Sequence, residues 1–395
     1  MSEAMSGSRD AGGQRSGPLS HVRVLDFTAL LQGPLATQIF GDLGAEVIKF
    51  EKPGGEWMRH WGILASKSHG EIDSFLAFNR NKFSVEADLK HPGVVRRILE
   101  LAETADVVVE NFRPGVMDRL GLGFEDFRRV NPSIVYACSS GYGQSGPYRD
   151  RPGQDMLAQA LSGAMYLTGR RDDPPTACGI GFADEYTGLH LTVGMLAALA
   201  HARETGVGQR VEVDLLGCSI AAQQQELTVY LNHRRDMPRP ERNIGHVGGT
   251  APFGIYESAT GYFTLAMFPC DELAKILDED WLAEYDTNEL MYHNRDLVHA
   301  RLSDLFIAKG RDHWLELLSA GGVWCAPVHG YGDLEDDPQI VHKRMFWEVP
   351  VGNDEGDFLT VRSPFGFSET PPRLYRGVPR AGQDTDTYLH DLDPA

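Results

Sequence analysis

From residue 22 onward the chain alternates short apolar runs with amphipathic stretches. "HVRVLDFTALLQGPLATQIFGDLGAEVIKFEKPGG" predicts a strand over Val22–Phe27, a helix over Pro34–Leu43 and a second strand over Glu46–Phe50, which together make a βαβ unit. The pattern recurs. "HPGVVRRILELAETADVVVENF" reads as a helix running into a strand at Val107–Glu110, and "FEDFRRVNPSIVYACSSGYG" as a helix followed by a strand at Ile134–Ser139. Such alternation predicts an α/β fold, with a doubly wound parallel sheet carrying helices on both faces.

From Asp155 the pattern turns helical. "LHLTVGMLAALAHARETGVGQRVEVDLLGCSIAAQQQELTVYL" holds a long apolar helix, a turn at Gly206–Gly208, a strand and another long helix. After Asn232, "RRDMPRPERNIGHVGGTAPFG" has the Pro, Gly and Arg content of a linker and loop; a strand pair (Phe253–Tyr256, Tyr262–Ala266) and further helices follow. The division expected is a disordered tail over 1–19, a large Rossmann-like domain over 20–225, a smaller α/β domain with its linkers over 226–325, and a Pro-rich return to the large domain over 326–395.

Composition narrows the function. With 395 residues, 42% of them hydrophobic and 24% charged, the chain has the make-up of an ordinary soluble protein. A formal charge of -19 without a basic block argues against nucleic-acid or membrane partners, so any phosphate must be met by a local group of Lys and Arg. Cys138, Cys178, Cys218, Cys270 and Cys325 are scattered, with no C-x-x-C pair, which points to no disulfide framework, no metal and a cytoplasmic setting. There is no P-loop, no G-x-G-x-x-G after the first strand and no G-x-S-x-G elbow, so nucleotide-hydrolase, dehydrogenase and α/β-hydrolase chemistries are disfavoured.

"CGIGFADEYTGLHLTVGMLAALAHAR" places Asp184 just before the long apolar helix. That position is open to two readings. One is a helix N-cap; the other is a carboxylate kept ionised by the helix dipole and competent as a nucleophile.

The order and spacing of "VLDFTALLQGPLATQIFGDLGAEVIKFEKPGG", "FLAFNRNKFSVEADLKHPG", "ADVVVENFRPGVMDRLG", "ADEYTG", "ETGVGQRVEVDLL" and "GGVWCAPV" resemble those of the class III coenzyme A transferases of CaiB/BaiF type. That family includes formyl-CoA:oxalate and carnitine CoA-transferases and a racemase branch. The resemblance implies CoA transfer between carboxylic acids, with coenzyme A as acyl-CoA co-substrate, a small carboxylic acid as partner and an interlocked homodimer. It makes Asp184 the acylated nucleophile. Coenzyme contacts fall on Lys52, Asn111, Phe112, Arg119 and Leu120, with Arg59 and Lys90 as further basic candidates; each of the four basic residues could instead be a plain surface charge. A glycine-rich active-site loop would correspond to Gly245, Gly248 and Gly249, or else these mark an inter-domain linker.

Two departures bear on substrate. Ala29 and Leu31 stand where the formyl-CoA:oxalate enzymes have His and Gln. In the racemase branch an Asp is paired with a His in a "GHD" step; here the step is "PGQDMLAQA", with Gln154 in the His position and Asp155 beside it as a second carboxylate or a helix start. Gln does not shuttle protons near neutral pH, so transfer is favoured over a racemase or epimerase, while a non-catalytic acyl-CoA binding protein stays open as a second rival. Backbone N–H groups around Asp184 and in the glycine loop are the expected oxyanion donors.

Overall fold

The computed structural model describes residues 15–61, 66–352 and 357–390. Its centre is a six-stranded sheet, parallel throughout: β1 (Arg23–Phe27), β2 (Glu46–Glu51), β3 (Lys82–Glu86), β4 (Val107–Glu110), β5 (Val135–Ser140) and β6 (Arg210–Asp214), in the order β3-β2-β1-β4-β5-β6. Leu25 of β1 pairs with Ile48 of β2 and Val108 of β4. The central strands β1 (RVLDF) and β4 (VVVE) read as near-continuous apolar runs because both sheet faces are covered there. On one face Leu25, Phe27, Ile48, Phe50 and Val108 pack with Ile98 of the helix Pro92–Ala102. On the other, Val24, Val47, Val107 and Val109 pack under α1 (Gln32–Asp42) and the long helix Phe182–Thr205.

The chain runs outward from β1 to β3 and then returns to β4 on the opposite side of β1. Two diverging loops therefore leave the carboxyl ends of β1 and β4, which is where ligands bind in open sheets of this order.

The chain divides into two compact units, residues 1–158, 181–222 and 338–395, and residues 159–180 and 223–337. The second unit is thus larger than the expected 226–325. Residues 159–180 belong to it because they are tied to its own segments: Arg171 N–H donates to Pro240 O at 2.7 Å, and Arg239 Nη1 to Thr168 O at 2.9 Å. Its core, around Tyr256, Phe263, Phe306 and Trp314, lies with a three-stranded antiparallel sheet of Gly254–Ser258, Gly261–Leu265 and Cys325–Pro327.

Residues 1–14 of the expected disordered tail lie outside the described residues. Arg15–Leu19 are described, and Leu19 is buried with its N–H donating to Leu43 O at 3.0 Å, so that tail does not extend to residue 19. The C-terminal segment closes on the first unit, where Asp384 Oδ2 accepts from Ser84 N–H at 2.8 Å and Asn81 Oδ1 from Tyr375 N–H at 2.7 Å.

Candidate active site

The loop after β1 is held by four side chains, none of them adjacent to it in sequence except Asp26. Asp26 Oδ1 accepts from Thr28 N–H at 2.8 Å, Lys49 Nζ donates to Thr28 O at 2.6 Å, and Glu56 Oε2 accepts from Leu30 N–H at 2.9 Å. Asn111, at the end of β4, grips the Ala29 peptide from both sides, with its Oδ1 accepting from Ala29 N–H and its Nδ2 donating to Ala29 O. Leu30 is thereby held at φ 69°, a left-handed conformation that a branched side chain adopts only when its surroundings impose it.

Beneath the loop the charges are paired in the dry interior. Lys49 Nζ lies 3.1 Å from Glu56 Oε1 and Lys82 Nζ 3.3 Å from Asp26 Oδ2, all four side chains being buried. Burial alone would raise the Asp26 carboxyl, but Lys82 and Lys49 outweigh it and hold it below its usual range. Burial brings Lys82 down to about 8, with Asp26 opposing.

A cavity of about 350 Å³ opens at the carboxyl ends of β1, β2, β3 and β4. Of the expected coenzyme contacts, Lys52, Lys90, Phe112 and Leu120 line it. Asn111 is at its edge, committed to Ala29. Arg119 is exposed on the short helix Val116–Arg119, adjacent to Leu120.

Arg59 must be corrected. Its guanidinium is buried, with Nε and Nη2 each 2.7 Å from Glu51, Nη1 on Glu71 and on Pro379 O, and Phe75 3.8 Å beneath it. It is a fold-closing ion pair with no free face for a phosphate. Burial opposes ionisation of Glu51, yet the hydrogen bonds and charge of Arg59 bring that carboxyl down to about 2.

Asp184 lies in the first turn of the long helix. The cap position is Gly181 and the helix starts at Phe182, so Asp184 is its third residue and the N-cap reading does not hold. The capping acceptor comes from elsewhere in the chain: Asp155 Oδ1 accepts from Ala183 N–H at 2.6 Å and from Asp184 N–H at 3.1 Å. Asp155 is the first residue of the helix Asp155–Ser162, whose Ala158 packs with Ala183 and Leu215 to fix the two helix starts together.

Among the described residues no hydrogen-bond donor reaches the Asp184 carboxylate. Burial, then the neighbouring charges of Asp155 and Glu185, push it up to about 7. The expected dipole-stabilised, firmly ionised carboxylate is therefore not what the fold builds, because Asp155 has already taken the helix N–H groups. Gly181 stands beside Leu31, a Cβ there coming 3.4 Å from Leu31 Cδ1, so the held loop has the cavity at Thr28 and Ala29 and the Asp184 turn at Leu31. Gln154 is exposed just before the Asp155 helix, its carbonyl accepting from Ala158 N–H.

The expected oxyanion donors are also spoken for. Ala183 and Asp184 N–H bind Asp155. In the second unit, Gly248 N–H donates to His246 Nδ1 at 3.0 Å and Gly249 N–H to His246 O at 2.9 Å. Accepting at Nδ1 leaves the His246 proton on Nε2, which is 2.7 Å from Glu226 Oε1. In this arrangement the glycine loop is closed on itself by a histidine that sequence reading passed over.

The switch-point cavity carries Lys52 and Lys90 on its lining, and among the described residues the Asp184 carboxylate at the helix start has no hydrogen-bond donor. The model of CoA-transferase family III matches residues 19–385, and the chain belongs to that family. It is 35% identical over 386 residues to the succinyl-CoA:glutarate CoA-transferase of Homo sapiens, covering 95% of this chain and 86% of that one. It is 34% identical over 366 residues to the succinyl-CoA:mesaconate CoA-transferase of Haloarcula marismortui, covering 90% and 91%. A CaiB/BaiF family protein from Brucella suis has a similar structure, with a TM-score of 0.84 at 30% identity over 95% of this chain and all of that one.

Proposed function

We propose that this CoA-transferase works through a covalent intermediate on Asp184, taking CoA from succinyl-CoA or a close homologue and passing it to a four- or five-carbon dicarboxylic acid. The observation carrying the nucleophile is the Asp184 carboxylate itself, which among the described residues has no cation or donor and is raised to about 7. A carboxylate of that basicity is more nucleophilic than an ordinary one and is still substantially ionised near neutral pH. The substrate class is supported by the names of the two relatives, and by Ala29 and Leu31 standing where formyl-CoA:oxalate enzymes are expected to have His and Gln.

An Asp184 oxygen attacks the donor thioester carbonyl; the C–S bond breaks and gives an aspartyl anhydride and CoA thiolate. The thiolate attacks the aspartyl carbonyl, the anhydride C–O bond breaks, and the donor leaves as its carboxylate. The acceptor carboxylate then attacks the aspartyl–CoA thioester, and the released thiolate takes the acceptor acyl group, restoring Asp184. No proton is gained or lost over the cycle. Asp155 positions the Asp184 turn, while Lys52, Lys90, Phe112, Leu120 and Arg119 hold the coenzyme. For the glycine loop to supply oxyanion donors, Gly248 and Gly249 must first exchange their His246 bonds for substrate. A homodimer in the cytoplasm, where five unpaired thiols stay reduced, completes the reading.

Incubation with succinyl-CoA and hydroxylamine tests it. The expected product is a hydroxamate on the peptide carrying "GFADEYTG", absent in Asp184→Asn. Solvent deuterium entering the α-carbon of an acyl-CoA with no acceptor acid present would point to the racemase instead.

A further inference from the structure

The glycine loop of the second unit is built over a buried guanidinium. Arg295 opens the helix Arg295–Phe306; its Nη1 donates to Val247 O at 2.5 Å and to Gly249 O at 3.3 Å, and its Nη2 to Pro238 O at 2.8 Å. A trans peptide such as Val247–Gly248 points its C=O and N–H in opposite directions, so anchoring Val247 O inside turns the Gly248 N–H outward. Gly248 is exposed, and its N–H is covered by the His246 ring, whose Nδ1 accepts from it at 3.0 Å. The Gly249 N–H differs, because its acceptor is the backbone oxygen of His246 and belongs to the turn itself.

The two bonds therefore open at different cost. Freeing Gly249 unwinds the turn, whereas Gly248 is freed by rotating one partly exposed side chain while Arg295 keeps the peptide in place. His246 is held against that rotation by a second bond, from its Nε2 to Glu226 Oε1 at 2.7 Å, reaching to the helix Gln224–His233. Glu226 also lines a cavity of about 630 Å³ with Tyr230 and Met237, which gives its carboxylate room to turn aside. We propose that His246 is a removable plug on the Gly248 donor, latched by Glu226, and that an oxyanion of the reacting acyl group takes the place of its Nδ1. This rests on the CoA-transfer reading. A neutral ring nitrogen accepts an N–H less strongly than a full oxyanion does, so the exchange is favoured in the transition state more than with the ground-state carbonyl.

Kinetics with succinyl-CoA and a saturating acceptor acid test it. His246→Ala removes the plug, so kcat/KM should rise about 3- to 30-fold, a gain that damage to the loop does not produce. Glu226→Gln should raise it less, and the double variant should match His246→Ala, because Glu226 acts through the ring. A kcat/KM that falls or stays level in His246→Ala, or a Glu226→Gln effect that persists without His246, would overturn the proposal. Hydrogen exchange at the Gly248 amide needs no transfer and separates the two readings. Exchange should be severalfold faster in Glu226→Gln than in wild type, and equal rates overturn the latch. Faster exchange in Glu226→Gln, in a protein whose wild type moves no CoA, would keep the latch and overturn the transfer reading.

Discussion

A carboxylate attacks a thioester only while it is ionised, so the position of Asp184 near 7 should be visible in the kinetics. We expect kcat/KM to rise with pH through a midpoint of about 7. Asp155 contributes part of that elevation by repulsion, so Asp155→Asn, which keeps an oxygen to accept from Ala183 and Asp184, should move the midpoint to lower pH. A midpoint that stays in place would mean that burial and Glu185 set it without Asp155.

The same shift has a thermodynamic face. The folded protein holds the Asp184 proton more tightly than the unfolded chain, so the stability tied to its neutral form is complete below about 4 and is lost as pH rises through about 7. Asp184→Asn removes that loss. We expect it to abolish transfer and yet stabilise the fold by roughly 1 to 3 kcal/mol at pH 8, with little effect at pH 4, as read by denaturant unfolding. A variant destabilised at pH 8 would contradict the burial argument.

Residues whose partners lie far away in sequence were the ones misplaced, for a physical reason. Motif order led to Asp184, but local pattern assigned it the capping role that Asp155 fills from 29 residues away. Arg59 was misread in the same way, because Glu71 and the Pro379 carbonyl that consume its donors arrive through the fold. Lys52 and Lys90 lie beside strand ends and line the cavity; the resemblance pointed to them, while local pattern left each open to being a surface charge.

At the scale of elements, the catalytic geometry depends on how closely α1 and the Asp184 helix approach. Gly188 makes the contact: a Cβ there would stand 2.7 Å from Gln32 O and 3.1 Å from Leu35 Cδ2. Backbone cannot yield as a flexible side chain does, so Gly188→Ala should cost about 1 to 3 kcal/mol of stability and lower kcat by shifting the Asp184 turn from the held loop. Unaltered melting and turnover would show that the two helices separate freely. Strands β1, β2, β4 and β5 were readable to within a residue because apolar runs bounded by turns leave little freedom, whereas β3, with its Lys, Ser and Glu, was not read as a strand. The start of α1 was not: it begins at Gln32 rather than Pro34, since a proline in the first turn lacks only an N–H that would have no helical partner. The four-sided hold on Thr28–Leu30 lay beyond sequence reading altogether, because it joins residues from three strand ends.

For the whole molecule, the boundary of the second unit escaped the sequence because 159–180 reads as helix and loop continuous with what precedes it, and only its contacts with 223–240 assign it. The exposed face of the Asp184 helix bears on assembly. Leu189, Val193 and Leu196 recur at a spacing of four and three residues, one stripe of the helix, and Val193 is 64% exposed. An apolar stripe of this kind is costly to leave in water, and a second copy of the chain, in the interlocked homodimer proposed above, is the occupant we expect. We expect the protein to sediment as a dimer whose subunits do not separate on dilution to the nanomolar range, since interlocked chains have no independent folded form. Val193→Glu, nine residues beyond Asp184 on the helix, should lower the yield of dimer or make it dissociate. A wild type that sediments as a stable folded monomer at micromolar concentration would exclude interlocking, and a Val193→Glu protein with undiminished dimer stability would move the interface away from this stripe.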